Sequence, residues 1–90
     1  MTAYEEIHHI IMEFQNSADR AAAAVLAQTA LDLKLPQSSP MFQHARAWFY
    51  LPTYGKVSLN AVCHTLRLNV KRVQNLATDM IIEQEMKEAA

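Results

Sequence analysis

Residues 58–76, SLNAVCHTLRLNVKRVQNL, read as two short helices joined by a tight turn. Val62, Cys63 and Leu66 in the first segment and Leu68, Val73 and Leu76 in the second are apolar at helical spacing, so the two can share a buried seam. Ser58 is placed to cap the first helix and Asn69 the second, because a side-chain oxygen there accepts from backbone N–H groups that lack a helical partner. Lys71, Arg72, Gln74, Asn75 and Thr78 lie on or near the second helix and mix ligands for phosphate with ligands for base edges. No other segment has a spacing that asks for more than folding.

Outward from this stretch the chain reads as helices. Downstream, the helix that starts near Val70 is expected to run as far as Glu88, with Met80, Ile81 and Met86 free to pack on the first helix or on a second subunit. Upstream, Tyr54, Gly55 and Lys56 form a turn. Before it, Ser39 and Pro40 supply a cap and a first-turn proline, starting a helix that reaches Tyr50 and is stopped by Pro52. That helix carries Phe42, Ala45, Trp48 and Phe49. At the N-terminus, Thr2 and Glu5 form a capping box, and Ile7, Ile10, Ile11 and Phe14 predict an amphipathic helix over residues 3–16. Ser17 is the expected cap of a second helix, residues 18–34, with Ala22, Val25, Leu26, Thr29 and Leu33 on its packing face. Pro36 ends it, since the residue before a proline is disfavoured in helical geometry.

Composition supports this reading. Apolar residues make up 51% of the 90, enough for a core and too many for a disordered chain. Ala, Leu, Gln, Glu and Met dominate, and one glycine with three prolines leaves few turns for hairpins. The expected fold is all-α: a single helical domain over residues 1–90 with about five helices. Residues 1–35 form an N-terminal hairpin or arm, residues 39–78 contain the paired helices, and residues 79–90 extend the last helix. Alanine supplies much of the apolar count, so the core is thin, and a thin core in a short chain favours a homodimer. A single cysteine, Cys63, excludes an internal disulfide and fits a reducing cytoplasm. Neither a signal peptide nor a membrane span is visible, and no membrane partner is expected.

The formal net charge is −1, but it is unevenly distributed. Residues 1–40 carry Glu5, Glu6, Glu13, Asp19 and Asp32 against Arg20 and Lys34, a net of −3. Residues 41–78 carry Arg46, Lys56, Arg67, Lys71 and Arg72 with no acid, a net of +5. Residues 79–90 carry Asp79, Glu83, Glu85 and Glu88 against Lys87, a net of −3. The uncompensated positive charge thus surrounds the paired helices, as in a small DNA-binding unit.

The stretch of about twenty residues resembles the helix-turn-helix of bacterial and phage transcription regulators. Trp48-Phe49, Val57-Ser58, Val62-Cys63, Leu66 and Leu68 look like segments of small bacterial and phage proteins of that class. The first forty residues resemble no family. The resemblance implies that Val70, Lys71, Gln74, Asn75 and Thr78 face the major groove. Gln74 and Asn75 suit adenine, and Lys71 suits guanine or phosphate. Arg72, Arg67, Lys56 and Ser58 would hold backbone phosphates, which position the protein without specifying sequence. Asn69 belongs to the same interface as the cap of the recognition helix. One departure is Arg67, which stands where the turn usually has glycine. A left-handed non-glycine residue costs about 1 kcal/mol or more.

Other constellations are weaker. Glu5-x-x-His8 and Glu6-x-x-His9 have the spacing of a di-iron carboxylate helix, but the further ligands such a site needs are missing. Cys63 and His64 point about 100° apart on one helix, and Cys63 fills a core position. Trp48, Phe49, Tyr50 and Tyr54 could stack single-stranded bases but are better read as core and its rim. There is no glycine-rich phosphate loop. The sequence therefore predicts no enzyme, no metal and no cofactor. It predicts a sequence-specific binder of double-stranded DNA, a homodimer that regulates transcription. Its N-terminal helices, residues 1–35, would dimerise it or recruit a protein partner. The alternative is a protein-interaction module or inhibitor that uses the same helical fold to bind a regulator or polymerase subunit.

Overall fold

The computed structural model describes residues 2–89 as five α-helices. These are α1 (Ala3–Met12), α2 (Arg20–Asp32), α3 (Pro40–Tyr50), α4 (Leu59–Leu66) and α5 (Val70–Ala89). No strand occurs among the described residues. α2 and α5 are each packed by α1, α3 and α4, so the five helices close around one core. Ile7, Leu26, Leu33, Phe49, Leu59, Val62 and Val73 lie at its centre. Ala30 and Ala77 are fully enclosed, where only a methyl group fits between crossing helices. No helix of the described residues is long and apolar enough to cross a membrane.

Helix boundaries follow from capping. Thr2 Oγ1 accepts from Glu5 N–H at 3.2 Å, Ser39 Oγ accepts from Met41 N–H at 3.2 Å with Pro40 beside it, and Ser58 Oγ accepts from Ala61 N–H at 3.2 Å. The first helix is shorter than the expected span of 3–16. Beyond Met12 the chain tightens into turns through Phe14 N–H to Ile11 O and Gln15 N–H to Met12 O. Ser17 explains the break. Its hydroxyl donates to Phe14 O at 3.2 Å and accepts from Asp19 N–H at 3.0 Å, offering the backbone an alternative to helix. α2 accordingly starts at Arg20 instead of Ala18, and the residues that follow it, Leu33 to Leu35, wind as tight turns.

Long side chains fasten the connections. Gln84 Nε2 donates to Leu35 O at 3.1 Å, just past the end of α2. Gln37 N–H donates to Glu88 Oε1 at 3.0 Å. Trp48 Nε1 donates to Val57 O at 2.7 Å and pins the segment between α3 and α4. α1 lies on the C-terminal half of α5. Ala3, Ile7 and Ile10 share the core with Met80 and Ile81, while Met86 stays exposed.

Candidate nucleic-acid interface

The junction of α4 and α5 is three residues long, Arg67 to Asn69. Arg67 is left-handed, φ 57° and ψ 41°. Its N–H donates to His64 O at 3.3 Å and Leu68 N–H donates to Cys63 O at 2.8 Å, the paired bonds of a Schellman end. Leu68 is half-buried against the core, so two hydrogen bonds and an apolar contact offset the strain of an arginine where glycine is cheaper. Asn69 Oδ1 then accepts from Arg72 N–H at 3.0 Å and starts α5. Both ends of the turn are fixed by residues of the turn itself.

The structure separates the ten residues singled out in the sequence. Lys56, Arg67, Lys71, Arg72 and Asn75 are exposed, the last four in the α4–α5 junction or the first two turns of α5. Asn69 is exposed, with its side-chain oxygen committed to the cap, and Ser58 and Val70 are half-buried. Gln74 and Thr78 are half-buried, and their side chains are hydrogen-bonded within the fold. Gln74 Nε2 donates to Phe49 O at 3.0 Å, satisfying one of the end carbonyls of α3 that have no helical partner. Thr78 Oγ1 donates to Gln74 O and is also bonded to Tyr50 Oη. The sequence pattern placed both on the polar side of α5 but could not show that the end of α3 lies against that flank.

The outward face of α5 is instead defined by Lys71, Asn75 and Asp79, at four-residue intervals and all exposed. Lys71 and Asp79 are about 12 Å apart along the axis, close to the width of a major groove. Asp79 and then Glu83 reverse the charge, so a polyanion is favoured only along the first two turns. Arg46 is exposed on α3, its guanidinium 5.9 Å from the ring centre of Tyr50, which bonds Thr78. From Leu33 to Thr78 the sequence contains no acidic residue.

Cys63 lies behind this surface. It is 1% exposed, and burial pushes its thiol up to about 11 from 9.0. It serves as a small apolar side chain where α4 meets its neighbours. Trp48 and Phe49 are buried edge to face with ring centres 5.0 Å apart, while Tyr50 and Tyr54 sit at the rim. Glu5, His8, Glu6 and His9 assemble no metal cluster among the described residues. Comparison of the chain with protein-family models, with curated proteins and with solved structures finds no match.

Proposed function

We propose that the chain binds double-stranded DNA in a sequence-specific manner and regulates transcription as a cytoplasmic homodimer. In this reading α4 braces α5, and the first two turns of α5 enter the major groove. Lys71 and Asn75 address base edges. Arg72, Arg67, Lys56, Ser58 and Arg46 address phosphates. The observation that carries the reading is the charge: Arg67, Lys71 and Arg72 are exposed in and directly after one three-residue turn, within a stretch that lacks acids.

The test is a titration of random duplex DNA over a range of salt, with the native chain and a Lys71→Ala, Arg72→Ala double variant. Both positions are exposed, so thermal stability should hardly change. Loss of one phosphate contact and one base-edge contact should weaken binding and lower the slope of log K against log salt by about 0.9. Native protein that fails to bind duplex even at low salt would refute the proposal.

A second reading has its own observation. Leu51, Tyr54 and Val57 are exposed on the segment before α4, at 55%, 37% and 50%. Apolar surface beside the cations suits a protein partner better than phosphate. Such binding would be retained at high salt, because apolar burial is not screened.

A further inference from the structure

We propose that two copies of the chain associate through the outer face of α2, packed antiparallel about a twofold axis level with Leu26. The homodimer belongs to the functional reading above; the face that forms it rests on α2 alone. Ala21, Ala24, Gln28 and Leu31 are all exposed and follow one another at steps of three, four and three. That is the spacing of a seam that faces another helix. α1, α3 and α4 cover the other sides of α2.

The face is self-complementary. Leu31 is 43% exposed near the C-terminal end of α2 and stands out as a knob. At the N-terminal end an apolar groove opens between α2 and the end of α1. Its wall is Ile11 and Phe14, and its floor includes Ala21 and Ala24. A twofold axis level with Leu26 sets position 31 of one copy opposite position 21 of the other, and position 28 opposite position 24. Each Leu31 then meets the groove of the other copy. At about 100° per residue, Leu31 leans toward the side of the seam that also holds Arg20 and Ala27. Both of these line the groove, so knob and hole lie on the same side. Such an interface is isologous and closes after two copies. The antiparallel setting also brings Arg20 of each copy to the C-terminal end of the other copy's α2, where the helix dipole favours a cation. α2 is about 20 Å long, too short for a standard interface of about 1,200–2,000 Å². The dimer is therefore expected to be a weak one, in concentration-dependent exchange with monomer.

The experiment is sedimentation velocity of the whole chain without DNA, from low micromolar to near millimolar. Leu31→Glu and Ala24→Glu are run beside it, with Ile82→Glu on α5 as the control. All three positions are exposed, and circular dichroism melts check that each variant folds. Dimer should accumulate with concentration in the native chain and in Ile82→Glu. It should weaken about tenfold or more in both α2 variants. A native chain that stays monomeric throughout overturns the proposal. So does a dimer that survives both α2 substitutions, or one that Ile82→Glu abolishes. Because no DNA is present, failure here leaves the salt titration to decide the DNA reading separately.

Discussion

Replacing Arg67 by glycine should stabilise the fold while weakening the proposed DNA contact. Arg67 is the only described non-glycine residue with positive φ. Left-handed geometry costs an L-residue about 1–2 kcal/mol. Glycine removes that cost but is more disordered when unfolded, which takes back about 0.5–1 kcal/mol. The net gain for Arg67→Gly is about 0.5–1 kcal/mol, or about 2–8 °C in Tm for a domain of this size. The companion variant Arg67→Ala keeps the left-handed cost and should melt no higher than the native protein. Both variants remove one cation, so both should lower the salt slope of DNA binding by about 0.9. Thermal melts read the first effect and salt-dependent anisotropy titrations the second. If Arg67→Gly melts at or below the native protein, the turn is unstrained or the guanidinium itself supports the fold, and the reasoning fails.

The neighbouring polar residues on α5 should behave oppositely to each other. Gln74→Ala leaves Phe49 O without its donor and should cost about 1 kcal/mol in urea unfolding, with base preference retained. Asn75→Ala should leave unfolding unchanged and relax preference at one base pair, read by selection from a randomised duplex pool. Cys63 gives a pH signature. Its folded pKa of about 11 lies above the unfolded 9.0, so the unfolded chain binds fewer protons between these values. Stability contributed by the buried neutral thiol is complete below pH 9 and falls as pH rises toward 11. Cys63→Ala should show a shallower decline in that window by chemical denaturation, and an identical decline would refute the assignment.

The fold was largely readable because its signals are local. Thr2, Ser39, Pro40, Ser58 and Asn69 act within three or four residues of themselves, and the helices they start begin where expected. Ser17 is also local, but its hydroxyl serves the preceding turn as well as the following one, and this shifts the junction of α1 and α2 by several residues. The polar face of α5 was only half readable. Lys71, Arg72 and Asn75 are exposed as expected. The placement of Gln74 and Thr78 depends on Phe49 and Tyr50, some twenty-five residues away, and helical periodicity carries no information about which neighbour lies on a flank. Asp79 was counted with the acidic extension of the last helix, and its place in line with Lys71 and Asn75 was not drawn from the spacing.

That unbroken helix also settles what the smallest working piece of the molecule would be. A fragment ending at Thr78 would retain the turn, Ser58 and every cation from Arg46 to Arg72. It would lack Met80 and Ile81, the lid of the hydrophobic floor beneath Ile7 and Ile10. It would also lose the Gln84 amide that closes the end of α2. The surface offered to a ligand and the scaffolding that keeps it in shape are opposite ends of one rod about 30 Å long, and neither can be trimmed away from the other.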